Sequence, residues 1–215
     1  FLNSLLVTVV GTSIQVLLSS IAGYVLIQRD LPFKALITSF VMITMMIPGD
    51  LTMISIYQLN RELHLLNSYT GLIVNGLISG FSILLMRNFF ESISPSLEES
   101  AFIDGASNTR VLFAIYVPLS KAAIATITLF FAVGKWNAYF NAVMYTTSPA
   151  KMPVQLYLRN ILLSLDTLLE SDPQQLEYVA TEGVRAATVV AAMLPILMVY
   201  PFAQRYFIHG MMIGA

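Results

Sequence analysis

The sequence predicts an all-α membrane protein with about five transmembrane helices. Three observations carry that prediction. The first is composition: 57% of the 215 residues are hydrophobic and 11% are charged, with mean hydropathy +0.75, whereas soluble domains carry roughly 25% charged residues. The second is run length. Apolar stretches at 1–28, 35–59, 69–90, 122–145 and 186–208 each reach the ~20 residues a helix needs to cross a bilayer. The third is that most of the charge is confined to polar segments between these runs, chiefly 94–119 and 146–185.

Composition also excludes function classes. A net charge of −1 gives no basic footprint for nucleic acid. The absence of cysteine removes disulfides, thiolate metal ligands and cysteine catalysis. The two histidines, His64 and His209, lie far apart in sequence. No nucleophile–base pair or metal-ligand cluster is visible, which argues against an enzyme. No Gly-x-x-x-x-Gly-Lys-Ser/Thr phosphate loop occurs, so the chain does not itself bind ATP in that manner.

In residues 1–28, Gly11, Gln15, Ser19 and Gly23 recur every four positions. Small residues at that spacing let helices approach closely within lipid. Gln15 on that face either bonds a neighbouring helix or lines a path. The second run is interrupted by Pro48-Gly49-Asp50, and proline removes a backbone bond and kinks a helix. Asp50 is an acid at or near membrane depth. It is either functional or a cap on the half-helix that follows Gly49. In the third run Gly76-Leu77-Ile78-Ser79-Gly80 reads as a close-packing pattern, and Asn75 and Ser79 share a face.

In the fourth run Gly134, Asn137 and Asn141 fall on one helical face. Trp136 and Tyr139 suit a membrane interface. Lys135 either snorkels to that interface or meets substrate. Candidates for a substrate path are therefore Asn137, Asn141, Trp136, Tyr139, Lys135 and Asp50. The segment 146–185 contains an amphipathic helix within 153–169 and the acids Asp166, Glu170, Asp172, Glu177 and Glu182, which read as solvated. The last run contains Pro195 and Pro201.

The polar segment 94–119 organises the chain. Ser94 precedes Pro95, which suits the first position of a helix because it lacks a donor left unpaired there. Glu98 and Glu99 fall where the helix dipole favours negative charge, and Ser96 with Glu99 has capping-box spacing. Asp104-Gly105 ends the helix, since glycine adopts the left-handed cap geometry. The product is a short helix with small residues at Ser100 and Ala101. A second helix is expected over 107–117, stopped by Pro118.

Glu99-Ser100-Ala101, Gly105 and Ile115-Tyr116-Val117-Pro118 resemble the "EAA" loop of permease subunits in ATP-binding-cassette (ABC) importers. Ser replaces the middle Ala of that pattern, and Val replaces a Leu. The likeness extends through Ala22-Gly23-Tyr24, Met45-Met46-Ile47-Pro48-Gly49, Pro153-Val154-Gln155-Leu156-Tyr157-Leu158-Arg159 and Gln204-Arg205-Tyr206-Phe207 to Gly210-Met211-Met212-Ile213-Gly214-Ala215. It is nearest to the LplC-like oligosaccharide branch of maltose-permease relatives.

The resemblance implies one permease domain over 1–215 in a bacterial cytoplasmic (inner) membrane. Segment 94–119 would be cytoplasmic and 146–185 extracytoplasmic. Lys and Arg lie mainly on the implied cytoplasmic side, as the positive-inside rule asks. Implied partners are ABC ATPase subunits that bind ATP and Mg, a second permease subunit, an extracytoplasmic solute-binding protein, lipid and an oligosaccharide. Glu98, Glu99, Ser100, Ala101, Asp104, Gly105 and Pro118 would couple to the ATPase. Family members commonly have six spans, so a further span is expected before Phe1, and a few residues are expected beyond Ala215. The rival class is an ion-coupled secondary transporter or channel, marked by repeats, paired broken helices and buried charges. The sequence offers it one broken helix and two candidate charges, Asp50 and Lys135.

Overall fold

The computed structural model describes residues 1–171 and 181–210, with side chains at all of these except 50, 168–171, 181 and 202–210. The side chains of Asp50 and Glu170, all of Asp172 and Glu177, the side chains of the motif at 204–207 and the tail 211–215 lie outside the described set. Among the described residues every regular element is helical.

α1 (Leu2–Ile27) is the central post. It packs chiefly on α5 (Gly80–Glu91) and α9 (Lys121–Trp136). Its expected small and polar face is the buried one, including Gly11, Gln15, Ser19 and Gly23. Gly23 shows why: a Cβ there would stand 2.9 Å from the Arg87 backbone nitrogen and 2.9 Å from Met86 Cβ on α5.

The second, third and fourth expected spans are broken, and each break has a local cause. Residues 35–59 form α2 (Lys34–Met46) and α3 (Gly49–Glu62), not one kinked helix. The two meet at 103° because Pro48 holds extended geometry between them. Residues 69–90 form α4 (Tyr69–Val74) and α5. In the pattern at 76–80, Gly80 packs closely on α2, where a Cβ would stand 2.5 Å from Met45 Cγ and 2.8 Å from Val41 O, whereas Gly76 and Ser79 are helix punctuation. Gly76 takes φ +74°, and Ser79 caps α5 in a reciprocal capping box with Ser82, which satisfies two orphan donors at once.

Residues 122–145 divide into α9 and α10 (Tyr139–Tyr145). Ala138 sits at φ −75°, ψ 64° and the Tyr139 N–H donates to Asn137 O at 2.8 Å, the geometry of an inverse γ-turn.

α6 (Pro95–Ile103) is followed by α7 (Asn108–Val111), a π turn over Leu112–Tyr116, and α8 (Val117–Leu119). Helix continues past Pro118 rather than stopping there. In the π turn before it the Val117 N–H reaches Leu112 O. This stretch then meets α9 at 85°. α11 (Val154–Ser171) and α12 (Thr181–Gly210) complete the described elements.

By length and hydropathy, α1 and Glu182–Pro201 can each cross a membrane. The pair α2 with α3 and the pair α7–α8 with α9 qualify if each bent pair is one span. The described residues thus offer two to four candidate spans where run length alone suggested five. The largest buried cluster joins Tyr24, Met86, Phe90, Leu112, Tyr116 and Ile127, at the end of the bundle that carries α6.

Candidate functional site

α6 starts and stops where expected, but its N-terminus is capped differently. Pro95 is its first residue and Asp104 its C-cap. Gly105, at φ +80°, donates to Phe102 O at 3.0 Å, and Ala106 donates to Ala101 O at 2.9 Å. That pair of bonds is a Schellman motif, which satisfies carbonyls the helix end would leave open. The N-terminal capping box is not formed. Ser94 is the N-cap by backbone geometry, but its hydroxyl pairs with the Ser96 hydroxyl at 2.9 Å. Glu99 instead reaches Arg29 at 3.4 Å, an exposed pair of the kind worth little on its own.

Glu98 turns inward. Its Oε1 accepts from the Tyr24 hydroxyl and from Gln28 Nε2, each at 2.9 Å, and its Oε2 accepts from the Tyr116 hydroxyl at 2.8 Å. Ala101 packs against the buried cluster. Glu99, Ser100, Asp104 and Gly105 are exposed. So is Ile103, with 86% of its surface open, an outward apolar residue that sequence spacing did not single out. A cavity of about 420 Å³ opens beside α6, bordered by Gln28, Arg29, Lys34, Glu91, Glu98 and Glu99. Pro118 is half-buried in α8 and stands apart from this exposed set.

The second polar feature lies where two helix breaks face α1. A cavity of about 230 Å³ is lined by Gln15, Asn75, Gly76, Gly134, Lys135 and Asn141, with Phe130, Phe131 and Ala138. Broken helices leave carbonyls without intrahelical donors. Lys135 supplies donors, reaching Ile73 O at 3.0 Å and Asn75 O at 2.9 Å, and its charge suits the C-terminal end of α4. Asn75 is held by a reciprocal amide pair with Asn60, at 3.2 and 3.1 Å, and by a bond to Gly71 O. Among the described residues neither Gln15 nor Asn141 has a side-chain hydrogen-bond partner.

The structure separates the other path candidates. The turn at Ala138 ends the shared face: Gly134 and Asn141 border the cavity, while Asn137 is exposed and accepts from Gln155 at 3.5 Å. Trp136 is buried, donates to Ala192 O at 3.1 Å, and clusters with Val154 and Leu158. Tyr139 is exposed, with the Arg159 guanidinium 5.4 Å from its ring centroid, within cation–π range. Asp50 falls at the start of α3. Gln15, left open by the sequence, and Asn75, which it did not relate to the fourth run, are the residues that join Asn141.

Far from α6 along α1, polar bonds tie three segments together. Asn3 donates to Ala150 O and Met152 O and accepts from the Tyr69 hydroxyl. Lys151 donates to Asn67 O at 2.7 Å.

Comparison with known proteins gives one answer at several levels. Residues 15–213 match the family described as binding-protein-dependent transport system inner membrane component. The protein LplC of Bacillus subtilis is 39% identical over 213 residues, spanning 99% of this chain and 72% of that protein. The polygalacturonan/rhamnogalacturonan transport system permease protein YtcP of Bacillus subtilis is 38% identical over 217 residues, spanning 100% and 75%. A solved bacterial ABC transporter involved in the import of the acidic polysaccharide alginate superposes with a TM-score of 0.84 at 31% identity, covering 96% of this chain and 74% of that one. The chain belongs to the family of binding-protein-dependent transport system inner membrane components.

Proposed function

We propose that this chain is the permease subunit of an ATP-driven ABC importer for oligosaccharides. The observation that carries the reading is α6: a short helix, closed by Gly105, that presents Glu99, Ser100, Ile103 and Asp104 outward from a fold matched over its length by sugar-importer permeases. An apolar residue among polar ones suits insertion into a groove on a partner. In this reading α6 is cytoplasmic and the partner is an ATPase subunit, which holds ATP and Mg. Closure of the ATPase pair pushes α6 and rocks the helices between inward-open and outward-open states.

A second permease subunit and an extracytoplasmic solute-binding protein complete the assembly. Exposed apolar side chains on α2 and α12, such as Leu36, Phe40, Ile43, Val190, Leu197 and Met198, suit lipid or that second subunit. Sugar would pass the cavity bordered by Gln15, Asn75 and Asn141, whose amides offer donors and acceptors to hydroxyl groups. The names of YtcP and of the alginate transporter support a polysaccharide-derived ligand. An ion-coupled transporter has no observation in its favour, and Lys135, one of its two candidate charges, is held by backbone carbonyls.

Tagged chain purified from membranes should bring an ATPase and a second permease. Reconstituted with the binding protein, that complex should hydrolyse ATP faster when neutral or acidic oligosaccharide is added. A chain that isolates alone and drives uptake from an ion gradient would overturn the reading.

A further inference from the structure

We infer that Glu98, bonded at once to Tyr24 of α1, to Gln28 at the C-cap of α1 and to Tyr116 before α9, is the joint that carries motion of α6 into two helices walling the polar cavity. The inference rests on the reading of α6 as an ATPase-docking helix, and makes Tyr24, Gln28 and Tyr116 positioning residues for coupling. The outward residues of α6 receive the push, and Glu98 passes it on.

The geometry supports a joint rather than a surface contact. Both carboxylate oxygens are used, by three donors from two separate segments of chain. The two tyrosines are buried, at 4% and 2% exposed, and their rings meet edge to face at 5.1 Å. Phe90 meets the Tyr116 ring at 5.4 Å, so the α5 element is drawn into the same packing. Hydrogen bonds to an ionised carboxylate are the stronger kind. Close-packed surroundings transmit a displacement instead of absorbing it.

The path onward is short. α1 runs unbroken from Tyr24 to Gln15, nine residues and about 14 Å at 1.5 Å rise per residue, and Gln15 borders the cavity. From Tyr116 the chain passes α8 and the 85° corner into α9, whose Gly134 and Lys135 border the same cavity. A rigid α6 supports this. Its C-terminal end is closed by the Gly105 motif, and Ala101 and Ala106 pack on the buried cluster. With the carboxylate removed, α6 would still be present and exposed, but its grip on α1 and Tyr116 would be lost.

The test uses the whole importer in proteoliposomes with its binding protein and oligosaccharide. The readout is the ratio of sugar-stimulated to basal ATP hydrolysis, measured on assembled complex. Glu98→Gln is expected to lower that ratio about tenfold, the order expected from losing a hydrogen bond to a charged group, while α6 still cross-links to the ATPase through Ser100→Cys. An assembled Glu98→Gln complex with an unchanged ratio overturns the inference. If Glu98→Gln does not assemble, the double variant Tyr24→Phe/Tyr116→Phe decides by the same ratio, since it keeps both rings and removes only the hydroxyls. Absence of the Ser100→Cys cross-link in the otherwise unaltered chain would instead sink the docking reading.

Discussion

The side chain of Lys135 lies against the bare α-carbon of Gly11: a Cβ there would stand 3.4 Å from Lys135 Cε and 3.5 Å from Cδ. Beyond that contact the ammonium group ends on Ile73 O and Asn75 O. The glycine leaves room for the stem, and the broken third run supplies acceptors for the head. A charge placed inside an apolar bundle thereby serves as the cap of a half-helix.

Lys135→Met keeps the stem and removes the donors. Leaving part-buried carbonyls unpaired costs up to about 1–3 kcal/mol, so thermal unfolding of the purified complex should begin at a lower temperature. Gly11→Leu should do the same by displacing the stem. If Lys135→Met leaves stability unchanged and alters only sugar affinity, the lysine is a ligand contact and not a cap.

Gly23 and Gly134 should respond in opposite ways to alanine. At Gly23 the new Cβ meets α5 backbone at 2.9 Å, and overpacking of this kind costs about 1–3 kcal/mol. At Gly134 nothing lies within 4 Å, and Ala in a helix gains roughly 0.5–1 kcal/mol over Gly. Thermal denaturation of both variants in detergent checks the pair, and equal responses would refute the close α1–α5 crossing.

Gly105→Pro should abolish sugar-stimulated ATP hydrolysis with the chain still inserted. Proline fixes φ near −65°, against the +80° seen, and deletes the N–H that bonds Phe102 O. Glu99→Lys should also lower stimulation, by reversing charge on the exposed face of α6. Transport that survives Gly105→Pro would remove α6 from coupling.

Because the chain lacks cysteine, single cysteines report topology directly. Ser107→Cys, at the exposed start of α7, should react with an impermeant thiol reagent only from the cytoplasm. Thr147→Cys, exposed in the segment after α10, should react only from outside. The reverse pattern would overturn the proposed orientation.

Asn141→Ala should raise the half-saturating sugar concentration in transport, because Asn141 borders the cavity and its amide has no hydrogen-bond partner among the described residues. Asn137→Ala should have a smaller effect, since that residue is exposed and turned to Gln155. Loss of complex assembly in Asn141→Ala would mark it as a packing residue instead.

The sequence by itself determined the solvent, the helical class and the termini of α6. Those follow from local physics: apolar composition, a proline that suits a helix start, and a glycine that adopts positive φ at the end of α6. It also located the buried face of α1, because a four-residue repeat of small residues is a local signal. The tertiary structure alone decided where the third and fourth runs break and which polar residues then meet. Gly76 and Ser79 look like packing residues until Asn75 and Lys135 show that carbonyls there are capped from another helix. Glu98 looks like a helix-dipole charge until Tyr24 and Tyr116, 74 and 18 positions away, close on its carboxylate. A hydrogen bond depends on distances in space, and spacing along one helix carries no record of a donor on another.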